Sequence, residues 1–390
     1  MTETKMEKPS QPIQFIDLKS QQNRIRPEID KSIQKVLDHG QYVMGPEVFE
    51  LEKQLAEFSD RKYVISCASG TDALTMALMA MGVGPGQAVF VPSFTFTATA
   101  EVVAALGATP VFVDVDEHTF NLCTDSLEQA IDMVKKDHIN LKPSAVIPVD
   151  LFGQPADHDQ IKEIADKNGL WILVDAAQSA GATYKGKPTL SKGLMATTSF
   201  FPAKPLGAYG DGGAIFTDDE GLAEKLKAIR IHGQGSDRNE NICIGLTGRL
   251  DTMQAAILIE KLNIFREEIN LRQKVANYYT DHLKDVVQVP YVMDGCASVW
   301  AQYTLRIPGK ISGKNNLDLQ KILKEKEIPT AVYYPKPLHL QPAYNKFPVA
   351  PDGLRNTLQL SEQVISLPMS PYVTKATQDY IIEGIIKEFQ

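Results

Sequence analysis

Two rhythms of apolar and polar positions alternate along the chain. Ile25, Ile29, Ile33 and Val36 recur at helical spacing and run out at Gly40, which predicts a helix followed by a stop. A second helix is predicted over Glu47 to Phe58. From there, short unbroken apolar runs take turns with helical patterns. YVIS (63–66) precedes a helix opening at SGTDALTMALMAMG, and AVFVP (88–92) precedes one from about Thr97 to Leu106. PVFVDV (110–115) precedes a helix near 124–135, and AVIPV (145–149) one at 157–167. LWILVDAAQ (170–178) is a further strand with its tip, and TTSFFP and GAIFTD extend the same sheet. Runs of Val, Ile and Leu without polar alternation belong to strands covered on both faces. They predict an α/β fold with a largely parallel sheet between helices. After Asp251 a long helical stretch reaches about Leu283. Strands near 299–307 and 330–334 and helices near 315–326 and 374–388 follow. This predicts a large domain over 13–265 and a smaller α+β domain over 266–390, after a mobile polar tail at 1–12.

Composition narrows the function. The 390 residues carry a net charge of −8 and are 43% hydrophobic, as expected of a globular chain with a large core. An acidic balance argues against a nucleic-acid binder, which carries a basic footprint. Cys67, Cys123, Cys243 and Cys296 are far apart and form no CxxC, which favours reduced thiols over a disulfide framework or a zinc site. The seven histidines are scattered, so no catalytic metal is expected. The polar start, MTETKMEKPSQP, lacks the apolar stretch of a signal peptide, and no run reaches the length of a membrane span. A cytoplasmic location is expected.

Open parallel sheets bind ligands beyond the carboxyl ends of their strands. Polar residues gather at four predicted ends: Ser69-Gly70-Thr71, Ser93 to Thr97, Asp175 with Gln178, and Lys204 after the SFFP run. Lys204 stands out in FFPAKPLGAYGDGGAIF, where it is the only lysine beside a glycine-rich loop. One reading makes it a phosphate holder. However, the segment has no G-x-x-x-x-G-K-[ST], and Gly207, Gly210, Gly212 and Gly213 do not fit G-x-G-x-x-G. A phosphate is better placed at Gly70-Thr71, at a helix start, although SGTD is equally an ordinary helix cap. The other reading makes Lys204 a nucleophile that forms a Schiff base with an aldehyde, of which pyridoxal phosphate is the commonest. That cofactor needs a carboxylate at its ring nitrogen and an aromatic against its face. Asp175 and Phe96 are the candidates. Taken alone, Asp175 also reads as a turn or cap and Phe96 as core.

In this order SGTDAL, PSFTFTAT, VDAAQ and FPAK…GDGGA are much more specific than any one of them. With FIDLKSQQNRI, HGQYVMGPEVFELE, GRLDTMQAAIL and IPTAVYYPKPLHLQP, the chain resembles the sugar-nucleotide aminotransferases of the DegT and AHBA-synthase family from about Ile13 to Ile386. The resemblance implies the aspartate-aminotransferase type I fold, pyridoxal 5′-phosphate as cofactor and a homodimer with shared active sites. It places Lys204 as the covalent cofactor lysine and Asp175 as the partner of the ring nitrogen. Gln178 falls beside the cofactor's phenolic oxygen and Phe96 on its ring. Gly70, Thr71 and Ser199 fall at the phosphate. It gives Arg249, from the second subunit, to a substrate carboxylate, and Tyr333 and Tyr334 to the sugar pocket. Thr247, also from the second subunit, stands where relatives often have an Asn that reaches the cofactor phosphate. The motifs are most similar to members that aminate C3 of UDP-2-acetamido-2-deoxy-3-oxo-D-glucuronate for bacterial surface polysaccharide, with glutamate as donor. Those members carry His where this chain has Tyr333. The alternatives are a 4-keto-6-deoxyhexose aminotransferase and a non-catalytic regulatory protein on the same fold.

Overall fold

The computed structural model describes residues 8–237, 239–307 and 315–389. The chain opens with three helices, α1 (Leu18–Arg24), α2 (Arg26–His39) and α3 (Pro46–Ser59). Pro27 starts α2, and Gly40 ends it at φ 70°, its N–H donating to the Val36 carbonyl. The alternation follows: β1 (Tyr63–Cys67), α4 (Gly70–Ala80), β2 (Gln87–Pro92), α5 (Ala98–Ala105), β3 (Thr109–Val113), α6 (Thr124–Asp137), β4 (Lys142–Val146), α7 (His158–Asn168) and β5 (Trp171–Asp175). Short strands β6 (Thr183–Tyr184) and β7 (Lys187–Pro188) precede β8 (Met195–Ser199), β9 (Gly213–Thr217) and α8 (Glu220–Arg230). Helix α9 (Thr252–Leu283) follows. The last part holds β10 (Cys296–Ala297), β11 (Tyr303–Arg306), α10 (Asn316–Glu325), α11 (Arg355–Gln363), β12 (Val364–Leu367) and α12 (Lys375–Ile386).

The main sheet has seven strands in the order β1-β9-β8-β5-β4-β2-β3. Strands β8, β5, β4, β2 and β3 run parallel, and β9 is antiparallel to both of its neighbours. Fully buried Val89, Phe90, Val91, Leu173 and Val174 show why these runs carry no polar alternation: helices cover both faces. Helix α9 joins two cores. Its Leu258 and Phe265 pack in the large apolar cluster, whereas Val275, Ala276, Tyr279 and Leu283 pack with β11, β12, α10 and α12. No helix among the described residues is long and apolar enough to cross a membrane.

One prediction fails locally, and some elements were not predicted. No strand forms at 330–334; Ala331 alone bridges to Ser366. Pro335 follows the tyrosine pair and has no N–H to give a ladder, so the run cannot continue. The partner of β11 is instead β12, a four-residue VISL too short to stand out in the sequence. Helix α8 was also not foreseen. Its cap is Asp219, whose side chain accepts from the Leu222 N–H at 2.8 Å.

Candidate active site

Asp175 ends β5, near the middle of the sheet. It is bridged to Val149 on one side and paired with Thr197 on the other, and its N–H donates to the Pro148 carbonyl at 2.9 Å. The side chain is 5% exposed. Thr99 Oγ1 donates to Oδ2 at 2.9 Å and the Ala177 N–H to Oδ1 at 3.2 Å. Burial pushes this carboxyl above its ordinary range, against the pull of those two donors and of the Lys204 amine. A buried acid held in this way is primed to meet a cation.

Lys204 sits at the apex of a folded-back loop. The Phe200 N–H donates to the Gly212 carbonyl and the Ala208 N–H to the Phe200 carbonyl, both at 2.7 Å. The Lys204 N–H closes a tight turn on the Phe201 carbonyl at 2.8 Å. Gly207 is where this path is tightest: a Cβ there would lie 2.5 Å from the Pro202 carbonyl oxygen. The Lys204 amine makes no hydrogen bond or ion pair among the described residues. Burial pushes it below its ordinary range, with Asp175 pulling the other way. Desolvation therefore favours the neutral, nucleophilic form.

Beside this pair lies a second polar corner. At the start of α4, Ser69 caps the helix by accepting from the Asp72 N–H at 3.0 Å. The end of β8 presses against Gly70, where a Cβ would lie 2.6 Å from Ser199 Cβ. Gly70, Thr71 and Ser199 thus meet at one helix start, whose first N–H groups have no acceptor within the helix.

The remaining predicted residues divide. Gln178 is buried; its Oε1 accepts from the Phe152 N–H at 2.7 Å, and its Nε2 donates to Tyr334 Oη at 3.4 Å. Tyr334 packs edge-on against Phe94 and lies 5.7 Å, centroid to centroid, from Tyr333. Phe96 is 55% exposed in the loop after β2. Thr247 is exposed and bonded to His232 Nε2 at 2.9 Å. Arg249 is half-buried, and its guanidinium makes no hydrogen bond or ion pair among the described residues. Close packing therefore joins Gly70 with Ser199, a hydrogen bond joins Gln178 with Tyr334, and Asp175 and Lys204 feel each other's charge, but nothing ties Thr247 or Arg249 to Lys204. Thr99 was missed, although it lies inside the PSFTFTAT run. So was Asp150, a wholly buried carboxylate after β4 that accepts from the Ala156 N–H at 2.8 Å and from Ser179 Oγ at 3.0 Å.

Residues 23–386 match the DegT/DnrJ/EryC1/StrS aminotransferase family. The chain belongs to that family. It is 51% identical, over 94% of its length and 97% of the relative's, to the UDP-2-acetamido-2-deoxy-3-oxo-D-glucuronate aminotransferase of Pseudomonas aeruginosa. A DegT DnrJ EryC1 StrS aminotransferase from Brucella abortus superposes with a TM-score of 0.93 at 48% identity, covering 97% of this chain and 99% of that one. NtdA from Bacillus subtilis, solved with bound PMP, superposes at 0.87 with 29% identity, over 98% of this chain and 86% of that one. This aminotransferase uses pyridoxal 5′-phosphate. Its residues fit that group: a buried acid at a strand tip, a desolvated amine whose charge reaches it, and a glycine-cleared helix start that suits a phosphate.

Proposed function

We propose that this aminotransferase aminates C3 of UDP-2-acetamido-2-deoxy-3-oxo-D-glucuronate, with glutamate as donor, and that the product enters a bacterial surface polysaccharide. The reading is of a cytoplasmic homodimer. Gly70, Thr71 and Ser199 hold the cofactor phosphate, with Thr247 reaching it from the partner subunit. Phe96 covers the ring, and Gln178 stands by the phenolic oxygen. Tyr333 and Tyr334 border the sugar. Arg249 of the partner subunit receives first the glutamate carboxylate and then the uronate. One observation carries the substrate: a half-buried guanidinium with no partner among the described residues, in a chain similar along nearly its whole length to an enzyme named for a keto-uronate. A planar guanidinium suits a carboxylate through a paired hydrogen bond.

When bound, the cofactor supplies an electron sink for the carbon that loses its proton. Asp175 holds the proton on the ring nitrogen by a charge-assisted hydrogen bond. Lys204 Nζ would hold the cofactor covalently, and once displaced it is the base placed to take the proton from the donor's Cα. In the second half it delivers a proton to C3 of the sugar. Burial of both groups keeps water from competing for these protons.

The test is turnover of the 3-oxo-uronate nucleotide beside a 4-keto-6-deoxy sugar nucleotide that lacks the carboxylate. Faster turnover of the latter replaces this substrate by the 4-keto alternative.

A further inference from the structure

Lys261, on α9, is a second lysine removed from water, only 1% exposed. Its Nζ donates to the Gly207 carbonyl at 2.6 Å and lies 4.3 Å from the centre of the Tyr209 ring. Glu268, two turns further along the helix, is the acidic group whose charge reaches it. Burial pushes the amine down to about 8. Placing a lysine here is costly, because a Leu or Met would fill the same space without burying an amine. The contact with Gly207 gives the lysine its purpose. Gly207 is the residue at which the Lys204 loop doubles back, and its carbonyl faces Lys261. The same loop is fastened a second time by α9, where Gln254 Oε1 accepts the Tyr209 N–H at 2.9 Å. Two side chains of one rigid helix thus hold the descending limb of the loop, three and five residues after Lys204.

We propose that Lys261 is a positioning residue: through the Gly207 carbonyl it holds the loop that presents the Lys204 amine to the cofactor aldehyde. The inference rests on Lys204 being the covalent cofactor lysine. In the step concerned, the neutral Lys204 amine adds to the aldehyde carbon. The C=O bond gives way to C=N, and one water leaves. Lys261 takes no part in that exchange and touches neither atom. A loop without its clamp still offers the phosphate corner at Gly70 and Thr71 on α4 and Ser199 at the end of β8, whose hydroxyl meets the ascending limb at Phe201 and not the limb held by Lys261. Loss of Lys261 therefore weakens capture of an aldehyde by Lys204 but not retention of an amine-form cofactor, which needs no covalent bond. A purely structural role would weaken both together.

The experiment strips the full-length protein of cofactor and supplies either PLP or PMP. Covalent capture is followed by borohydride trapping and peptide mapping, and PMP affinity by fluorescence titration. In wild type the label is expected on Lys204; a label elsewhere removes the reading on which the inference rests. With the label on Lys204, Lys261→Met is expected to slow capture about tenfold or more while PMP affinity stays within about twofold. Lys261→Gln keeps a polar head of shorter reach and guards against a Met variant that does not fold; it is expected to fall in between. Wild-type capture rates in both variants, or parallel loss of PLP and PMP in both, overturns the proposal.

Discussion

The strand tips around Asp175 and the segment carrying Thr247 and Arg249 are built on opposite principles. At the tips the polar atoms are enclosed and assigned: both Asp175 oxygens have donors, and the Lys204 loop is closed by backbone hydrogen bonds from inside the same chain. The 242–249 segment lies open, with Ile242 63% and Ile244 84% exposed and the Arg249 guanidinium unpaired among the described residues. A site whose electrostatics must not reorganise during reaction belongs in the rigid, dry part of a fold. A site that must accept different acids in turn belongs where side chains remain free to be completed by ligand or partner. On the proposed reading, the contrast assigns chemistry to the sheet and choice of substrate to exposed loops.

The largest expected effect is at the tips. If Lys204 has the proposed role, Lys204→Ala should abolish turnover to below about a ten-thousandth of wild type, since it would remove both the covalent anchor and the proton carrier. The circular-dichroism spectrum should stay native, because the amine bonds to nothing among the described residues. PLP should still be retained without a covalent bond. Measurable turnover in this variant would mean that another amine serves the site.

Asp175→Asn comes next, with an expected loss of about a hundred- to thousandfold in kcat. The amide keeps the shape, but its single oxygen can accept from Thr99 or from the Ala177 N–H, not from both as the two carboxylate oxygens do. It cannot offset a positive ring nitrogen. Near-normal kcat would show that a different acid faces the ring, and would break the claim that the tip is electrostatically complete.

The strands that shape this tip were legible because an unbroken Val/Ile/Leu run of four or five residues fits little besides a strand buried on both faces. AVFVP and LWILVD became β2 and β5 within a residue or two. Lys204 and Asp175 were legible as residues at strand ends, and the neighbouring strands β5 and β8 bring them within reach of each other's charge. Thr99 was not. PSFTFTAT contains three threonines, and which of them turns to the carboxylate depends on how the chain enters α5. Asp150 was not singled out, although it directly follows the AVIPV run. Its burial follows from a network that reaches Ser179 and Ala156, beyond the strand that carries it. VISL was hidden by its length, and VYYP misled because periodicity does not register that Pro335 ends a ladder. For Thr247 and Arg249 no spacing argument existed. Only family resemblance singled them out, and a single chain gives them no contact with Lys204.

The open segment is tested by complementation. Arg249→Ala alone should raise KM for the keto-uronate and for glutamate by about ten- to a hundredfold, the value of a charge-assisted contact. If Arg249 serves the partner's site, mixing it with inactive Lys204→Ala protomers should restore activity. One of the two sites in each hybrid dimer is then wholly native, so an equal mixture approaches about a quarter of wild type. Absence of recovery after subunit exchange is verified would return Arg249 to its own chain.

The smallest effect expected is the most specific to the tip. Thr99→Val keeps the shape of the side chain and deletes one hydroxyl, the donor to Asp175 Oδ2. Valine fills the same pocket, so stability should change little beyond the lost hydrogen bond, about 1 kcal/mol. The change in charge behaviour has a definite sign. Burial already lifts the Asp175 carboxyl above its ordinary range, and the Thr99 donor opposes that by favouring the ionised form. Without it the carboxyl rises further and stays protonated to a higher pH. A protonated Asp175 cannot balance a cationic ring nitrogen, so the acid limb of the kcat profile should move toward neutrality. At the plateau, where Asp175 is ionised in both proteins, the loss should be about three- to tenfold. The measurement is kcat against pH for wild type and Thr99→Val at saturating substrates. An unmoved acid limb with a uniformly lower plateau would mean that Thr99 only packs against Asp175. A moved limb, with the plateau lowered by no more than about tenfold, would show that Thr99 sets the charge on Asp175.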